Sequence, residues 1–341
     1  MLLKTLLARI TAGQDQVAFC SSTLQITYAE LHQNAIWIAQ ALQARGMRDG
    51  AVVAICMERS PSLIVAMMGV MLAGAAFTVV ETHAQDELSG THDAVRETLL
   101  RIKPDMVLVE RGHSVWCQSE WPSQIIPARE YAWFSPLALP NGGAQSPAYV
   151  VFTSGTTGLC KGVLISHASL AHYCESMVAS LGLPDGLRYG LVSTLSADLG
   201  YTSLFLALWT GGSVYLAEDN ERHDPACLAA SLASHQVEVL KCTPTQWRLL
   251  CAGGGADIAL KWLILGGERL PTQLARDTLA TRQVQKLVNH YGPTEFTIGA
   301  TIQPVTDELL AASDAEWVAI GQSAVVVAGA DSGGDGAYPR L

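Results

Sequence analysis

A loop rich in serine, threonine and glycine, ending in a lysine, is the part of this chain best suited to chemistry. It follows an apolar, β-branched run that begins at Tyr149 and predicts a buried strand. Glycine lets backbone N–H groups converge on an anion, and the lysine adds a positive charge. It is not a Walker A loop, because Gly162 follows the lysine where that motif needs serine or threonine. The loop residues are Thr153, Ser154, Gly155, Thr156, Thr157, Gly158 and Lys161.

A second motif, NHYGPTE, lies far downstream at residues 289–295. Together with the loop sequence TSGTTGLCKG, it resembles the signatures of the adenylate-forming enzymes. That superfamily includes acyl-CoA ligases, luciferases and the adenylation domains of nonribosomal peptide synthetases. Weaker matches to family motifs, namely ITYAEL, MLAGAAF and LILGGERL, occur in the expected order. The resemblance covers about residues 20–321.

The resemblance implies a reaction in which a substrate carboxylate attacks the α-phosphate of ATP, releasing pyrophosphate and leaving an acyl-adenylate. It assigns catalytic roles to Lys161 on the β- and γ-phosphates, Thr294 on the α-phosphate and Glu295 on Mg²⁺, a cation that prefers carboxylate and phosphate oxygens. Tyr291 would stack on adenine. The implied nucleotide-binding residues outside the loop are Gly267, Glu268, Asn289, Tyr291, Gly292 and Thr294.

Asp198 is the first candidate for binding the substrate. It precedes the Gly211-Gly212 turn at the spacing where peptide-synthetase relatives place an aspartate that binds an α-ammonium group. A buried ammonium needs a fixed counter-charge, so this residue favours an amino-acid substrate. The pocket positions carried over from the family are Asp198, Leu199, Thr202, Lys241, Ile264, Gly266, His290, Ile298 and Gly299. Read in order, they resemble the signature of aspartate-activating domains, with asparagine as the nearest competitor.

Lys241 and His290 each leave two interpretations open. Lys241 ends an apolar strand, where it either contacts the side-chain carboxylate of a substrate or extends to solvent. His290 either contacts the same carboxylate or is a hydrogen-bonded histidine of the core. The resemblance favours the first interpretation for both residues.

Short apolar runs alternate with helical stretches, which predicts an α/β fold with layered, mostly parallel sheets flanked by helices. We expect residues 1–321 to form the N-terminal large lobe, with 1–145 and 146–321 as two α/β halves and 322–341 as a flexible tail. Residues 118–147 read as a connector. The uncharged run Ser62 to Val80 is long enough to span a membrane, but Gly74 and the strand-like residues after it favour a core helix, a turn and a strand.

The bulk composition limits the possible partners. The net charge of -10 argues against nucleic acid as a partner, and no export signal or membrane span is predicted. The eight cysteines form no CxxC pair, which indicates reduced thiols and a cytoplasmic protein. The resemblance implies ATP and Mg²⁺ as cofactors and a peptidyl carrier protein with a phosphopantetheine thiol as partner, with an MbtH-like protein as a further partner that no residue here requires.

Relatives continue into a small C-terminal subdomain with a TGD motif, a hinge and a lysine near the reacting carboxylate. These motifs are absent from the chain, whose resemblance to the family ends after Ile320 to Ser323. Three explanations for the missing motifs stay open: the chain is an excised piece, it is a natural truncation, or a second polypeptide supplies the rest. We expect the isolated chain to have low activity. Two rival functions also stay open, an acyl- or aryl-CoA ligase and a truncated, non-catalytic ATP-binding scaffold.

Overall fold

The computed structural model of the chain describes residues 2–82, 92–110, 123–126, 144–154, 160–255 and 258–323. The strands are β1 (Val17–Cys20), β2 (Gln25–Thr27), β3 (Val52–Glu58), β4 (Ala76–Thr82), β5 (Met106–Glu110), β6 (Ser123–Ile126), β7 (Pro147–Ser154), β8 (Cys160–Ser166), β9 (Arg188–Leu191), β10 (Ser213–Leu216), β11 (Val239–Cys242), β12 (Leu260–Gly266), β13 (Val284–Tyr291), β14 (Thr301–Val305) and β15 (Gln322–Ser323). The helices are α1 (Leu2–Ala12), α2 (Tyr28–Ala44), α3 (Pro61–Leu72), α4 (His92–Ile102), α5 (His167–Leu181), α6 (Tyr201–Thr210), α7 (Asp219–Arg222), α8 (Pro225–Ser234), α9 (Pro244–Ala252), α10 (Thr272–Ala280) and α11 (Asp307–Ala311).

Within these residues the strands form two sheets. The larger, nine-stranded sheet has the order β15-β14-β13-β12-β11-β9-β10-β1-β2, and its strands from β13 to β1 are parallel. The six-stranded sheet has the order β6-β5-β3-β4-β7-β8, parallel except for the β7–β8 pair. Continuous apolar strands of this kind are buried on both faces by helices. The predicted α/β fold with mostly parallel sheets is confirmed.

The two sheets exchange strands across residue 145, the predicted limit between the halves. Strands β1 and β2 pair in the nine-stranded sheet, where Phe19 lies opposite Val214. Strands β7 and β8 pair in the six-stranded sheet, where Tyr149 lies opposite Phe77. The sheets therefore do not follow a division of the chain into 1–145 and 146–321. Strand pairing joins segments that are distant in sequence, and local hydrophobic patterns carry no information about it.

The segment Ser62 to Val80 forms the predicted core helix, turn and strand. Ser60 caps α3 by accepting a hydrogen bond from the Leu63 N–H, and every residue of α3 except Ser62 is buried. Gly74 adopts a φ of 86° in the turn before β4, a conformation that suits glycine. No helix among the described residues is long and apolar enough to cross a membrane.

Two further predictions about organisation need correction or lie partly outside the described residues. The predicted connector at 118–147 contains strand β6, which pairs in parallel with β5. Its sequence, Ser-Gln-Ile-Ile, is too short to predict a strand by itself. Whether such an edge segment forms a strand depends more on pairing with the neighbouring strand than on its own composition. The predicted tail begins with β15, which pairs with β14, and residues 324–341 lie outside the described residues.

Helix α6 packs between the two sheets and fixes the segment before it. The ring of Tyr201, its first residue, lies 5.1 Å from that of Tyr149 and 5.8 Å from that of Phe77. The Tyr201 hydroxyl donates to the Leu195 carbonyl at 2.8 Å. All three aromatic rings are fully buried, and their packing fixes the start of α6 in the core. Asp198 lies three residues before Tyr201, so its backbone is held close to this fixed point.

Candidate functional site

The substrate-pocket residues meet at the carboxyl end of the nine-stranded sheet. Lys241 lies near the end of β11, Gly266 ends β12, and His290 lies near the end of β13, opposite Gly266. Asp198 begins a 3-10 turn that follows β9, the neighbour of β11 on its other side. Ligand sites of open parallel α/β sheets form at this edge. The structure therefore brings the predicted pocket residues together.

Lys241 and His290 form a buried pair. The side chain of Lys241 is 1% exposed and that of His290 is 3% exposed, and Lys241 Nζ lies 2.6 Å from His290 Nδ1. Burial lowers the pKa of Lys241 to about 7, and burial together with the lysine charge lowers the pKa of His290 well below its usual value. The imidazole is therefore neutral, and in the tautomer with an unprotonated Nδ1 it accepts the hydrogen bond from the lysine amine. The alternative in which Lys241 extends to solvent is wrong.

The other imidazole nitrogen does not fit the interpretation of His290 as a fully hydrogen-bonded histidine of the core. His290 Nε2 is buried and has no hydrogen-bond partner among the described residues. Since buried polar atoms in native structures are nearly always paired, this nitrogen favours a ligand over a purely structural histidine.

Two glycines make room for this pair. A side chain on Gly266 would overlap Lys241 Nζ and the His290 carbonyl, and one on Gly299 would overlap the His290 imidazole. Ile264, in register with Lys241 on the neighbouring strand, is fully buried beside them. The glycines at these pocket positions therefore permit the two polar side chains to fit.

Gly299→Ala should displace His290. The added methyl group would overlap the imidazole, so we expect a loss of about 1–3 kcal/mol in the free energy of unfolding. We also expect weaker binding of the substrate in calorimetric titration, since the imidazole must move. Gly13→Ala is the matched control, because its new methyl group would crowd only the flexible end of Gln16 and would meet the Arg9 carbonyl at an ordinary contact distance of 3.6 Å. Unchanged stability and binding in Gly299→Ala would contradict the position given to His290.

Asp198 is 9% exposed, and its carboxylate is only partly satisfied. Burial raises its pKa, against the lowering effects of its own N–H, the Ile298 N–H, the Thr294 hydroxyl and the charge of Lys241. Its Oδ2 atom has no hydrogen-bond partner among the described residues. A buried carboxylate in this state is stabilised by a cationic ligand group.

The turn that reaches Asp198 from β13 is strained. Thr297 and Ile298 have φ angles of 57° and 69°, which are rare for β-branched residues. This conformation directs the Ile298 N–H to Asp198, and both residues are buried. Backbone strain of this kind concentrates at binding sites and is held by the surrounding structure.

The catalytic candidates lie at the start of β8 and after the end of β13. Thr294 and Glu295 lie in the 3-10 turn Thr294–Phe296 after β13, with Thr294 half-buried and Glu295 exposed. Tyr291 is 49% exposed, as an aromatic ring that stacks on a ligand would be. Lys161 is exposed at the start of β8, opposite Thr153 on β7.

The phosphate loop connects the two strands of the β7–β8 hairpin. Thr153 and Ser154 belong to the end of β7. Gly155, Thr156, Thr157 and Gly158 lie outside the described residues.

The remaining predicted nucleotide residues hold the backbone around the site. Gly267 has a φ of 80° and lies against Leu199, and a side chain on Gly292 would overlap Gly299. The Glu268 carboxylate accepts hydrogen bonds from the Thr245 N–H and hydroxyl, at 3.1 and 2.7 Å, at the start of α9. The Asn289 amide donates to the carbonyls of Val318 and Ala319, at 3.3 and 2.9 Å.

Tyr173 is a pocket residue that sequence reasoning missed. Its hydroxyl lies 2.8 Å from Thr202 Oγ1, and its ring packs edge-on against that of His290 with centroids 6.0 Å apart. Tyr173 belongs to α5, where an aromatic residue on a helix reads as core, so the sequence carries no local signal for this role.

A model of the AMP-binding enzyme family matches residues 8–331, beyond the predicted domain limit at residue 321. The chain belongs to the AMP-binding enzyme family. Surfactin synthase subunit 2 of Bacillus subtilis (strain 168) is 32% identical to this AMP-binding enzyme over 81% of the chain and 8% of the relative. One of the linear gramicidin synthase proteins of Brevibacillus parabrevis is 33% identical over 88% of the chain and 6% of the relative. The chain thus spans less than a tenth of these two relatives.

Solved structures share the fold of this AMP-binding enzyme. The four-domain nonribosomal peptide synthetase AB3403, bound to AMP and glycine, superposes with a TM-score of 0.79 at 25% identity, over 95% of the chain and 23% of that structure. The N-terminal subdomain of Klebsiella oxytoca NpsA superposes with a TM-score of 0.75 at 22% identity, over 94% of the chain and 79% of that structure. The similarity to a subdomain of that size agrees with the predicted large-lobe fold.

Proposed function

We propose that this AMP-binding enzyme belongs to a nonribosomal peptide synthetase system and activates L-aspartate with ATP and Mg²⁺ as an aminoacyl-adenylate. The similarity to a surfactin synthase, to a linear gramicidin synthase and to a nonribosomal peptide synthetase structure bound to AMP and glycine supports an amino-acid substrate. In this proposal the aspartyl group passes to the phosphopantetheine thiol of a peptidyl carrier protein. An MbtH-like protein would be an accessory partner.

The buried Lys241 carries the choice of aspartate. No carboxylate of a described residue lies within 4.0 Å of its amine, and its one direct polar contact in the described part of the chain is His290. Leaving one partner of a buried ion pair unpaired costs about 3–5 kcal/mol, so a substrate that buries the Lys241 charge without supplying a carboxylate is disfavoured by up to about that amount. Asparagine would offer a neutral amide in place of that charge. Lys241 and His290 together therefore favour aspartate over asparagine.

Asp198 would bind the α-ammonium of the same molecule. Its unpaired Oδ2 supplies the counter-charge, while Thr294 and the Ile298 N–H hold the carboxylate in place. The two ends of the substrate would thereby meet two fixed, opposite charges, leaving the α-carboxylate to face the nucleotide. A negative charge at Asp198 and a positive charge at Lys241 are complementary to the α-ammonium and the side-chain carboxylate of aspartate.

Mg²⁺ fits the residues at the mouth of the site. Mg²⁺ is commonly held by one or two carboxylates together with substrate phosphates, and Glu295 provides an exposed carboxylate next to Thr294. No cluster of three or more histidine, cysteine, aspartate or glutamate ligands occurs among the described residues, which a phosphate-bound Mg²⁺ does not require. When bound, the ion would neutralise charge on the phosphates.

Calorimetric titration of the purified chain with L-aspartate and L-asparagine tests the function. Each titration contains Mg²⁺ and a non-hydrolysable ATP analogue. We expect aspartate to bind and asparagine to bind at least about 100-fold more weakly, the ratio that about 3 kcal/mol produces. Nucleotide binding with no response to either amino acid would contradict the aspartate pocket, and no response to a wider amino-acid panel would favour an acyl-CoA ligase or a non-catalytic scaffold.

The affinity for aspartate should depend on pH through Lys241. A bound carboxylate stabilises the protonated amine, whose pKa in the free protein is about 7. Affinity should therefore be highest below pH 7 and fall by about tenfold per pH unit above it, as binding then requires uptake of a proton. The charge of Asp198 and the imidazole of His290 also act on the amine, and the raised pKa of Asp198 should weaken ammonium binding in acid. A flat profile between pH 7 and 9 would contradict this prediction.

A further inference from the structure

A buried ionic cluster lies between the two sheets, outside the pocket. The side chains of Arg59 and Glu81 are 1% and 7% exposed, and Arg59 Nη1 lies 3.4 Å from Glu81 Oε1. Arg59 follows β3 and Glu81 lies in β4, so both belong to the carboxyl end of the six-stranded sheet. Arg222, at the end of α7, approaches the other Glu81 oxygen at 3.6 Å.

The cluster binds the backbone at the start of one loop, residues 192–197, which runs from β9 to Asp198, and Arg59 Nε also donates to the Ala217 carbonyl after β10 at 2.7 Å. Arg59 donates to the Leu191 carbonyl at 2.6 Å and to the Ser193 carbonyl at 2.9 Å. Arg222 donates to the Val192 carbonyl between them at 2.9 Å. Three successive carbonyls where the loop begins are thus held by two guanidinium groups.

Glu81 holds the second half of the same loop. Its carboxylate accepts a hydrogen bond from the Leu195 N–H, and its own N–H donates to Ser196 Oγ at 3.1 Å. The Leu195 carbonyl accepts from Tyr201, the first residue of α6. Asp198 comes two residues after Ser196. The chain is therefore held before Asp198 by Glu81 and after it by the hydrogen bond of Tyr201.

We propose that Arg59 and Glu81 are positioning residues that set the Asp198 carboxylate for the α-ammonium of the substrate. This inference rests on the proposed amino-acid substrate. Both residues act through the loop backbone, to which they make the hydrogen bonds described above. Charged hydrogen bonds to backbone are strong and directional, and a guanidinium fork fixes several carbonyls at once. The loop position therefore depends on the six-stranded sheet, although Asp198 follows β9 of the nine-stranded sheet.

Arg59→Lys and Glu81→Gln test the inference. Lysine keeps the charge but loses the fork, and glutamine keeps the shape but loses the charge, so each is milder than removal of the side chain. Arg9→Lys is the matched control, because Arg9 also binds a carboxylate, that of Asp185 at 2.7 Å, and a backbone carbonyl, that of Trp209 at 3.1 Å. It lies at the opposite end of α6 from Asp198.

Binding is measured by calorimetry for aspartate with the Mg²⁺-bound ATP analogue, and for that analogue alone. For Arg59→Lys and Glu81→Gln we expect the Kd of aspartate to rise about tenfold or more, as for loss of a charged hydrogen bond. The Kd of the nucleotide should change less than about twofold, and Arg9→Lys should bind both ligands normally. Equal weakening of both ligands, or unchanged aspartate affinity, would overturn the inference.

Amide hydrogen exchange of residues 192–198 separates this inference from the proposed function. Faster exchange of this segment in Arg59→Lys and Glu81→Gln than in Arg9→Lys is expected whether or not aspartate binds. If the unmodified chain binds no amino acid, the proposed substrate fails, and exchange alone then decides whether the cluster positions the loop. Equal exchange in all variants would overturn the positioning role.

Discussion

Lys241→Met should abolish aspartate binding and leave nucleotide binding intact. The substitution removes a cation that is 1% exposed. Methionine is about as long as lysine and is apolar, so it can fill the same buried space. Loss of the partner of a buried carboxylate costs about 3–5 kcal/mol, which corresponds to a rise in Kd of about 100-fold to 1000-fold or more. Calorimetry with the Mg²⁺-bound ATP analogue should show an affinity within about twofold of the unmodified chain, since independent sites are nearly additive.

The stability of Lys241→Met should not fall sharply. Burial disfavours the charged lysine, so an apolar side chain of similar volume is expected to be neutral or stabilising in the absence of substrate. Lys261→Met is the matched control, because Lys261 lies on the adjacent strand β12 with a 46% exposed side chain, paired with Glu238 at 2.7 Å. Retained aspartate binding in Lys241→Met, or equal loss of both ligands, would show that the pocket is assigned wrongly.

Asp198→Asn should weaken the binding of every amino acid. The change removes the counter-charge proposed for the α-ammonium but keeps an oxygen that can accept from Thr294 and the Ile298 N–H. Truncating one partner of a buried charge pair costs about 2–5 kcal/mol, or a rise in Kd of about 30-fold to 1000-fold or more. This loss differs from that of Lys241→Met, which should affect aspartate far more than asparagine.

Succinate provides a sharp control for Asp198→Asn. It carries the two carboxylates of aspartate without the ammonium, so its affinity should not fall when the Asp198 charge is removed. Asp185→Asn is the matched control variant, because the Asp185 carboxylate is 61% exposed and pairs with Arg9 far from the pocket. If Asp198→Asn keeps the preference of the unmodified chain for aspartate over succinate, Asp198 does not bind the ammonium.

The sequence supports the prediction of local elements and of single pocket positions. Apolar runs such as Val52 to Cys56 and Met106 to Glu110 form the expected strands, because buried parallel strands are continuous hydrophobic segments. The charge of Lys241 at the end of an apolar run also stands out without a structure, since lysine is seldom fully buried. These features depend only on neighbouring residues.

Contacts between distant segments could not be predicted in this way. The 2.6 Å contact between Lys241 and His290 depends on the order of β11, β12 and β13 in the sheet, with Gly266 between them. The approach of Arg59 to loop 192–197 depends on how two sheets meet, and no hydrophobic period encodes that. Strained backbone at Thr297 and Ile298 likewise arises from the assembled site, because their β-branched side chains favour extended conformations.

The exchange of strands between the sheets has a consequence for the nascent chain. Strands β1 and β2 are synthesised before β10, but Phe19 pairs with Val214, so β1 has to wait for β10 before it enters its sheet. Pairings of such long sequence separation form slowly, because the intervening chain must be ordered before the contact is made. Until then, β1 carries apolar side chains and unpaired backbone groups that other strand edges can bind. The segment that carries β1 therefore depends on protection until β10 has been made.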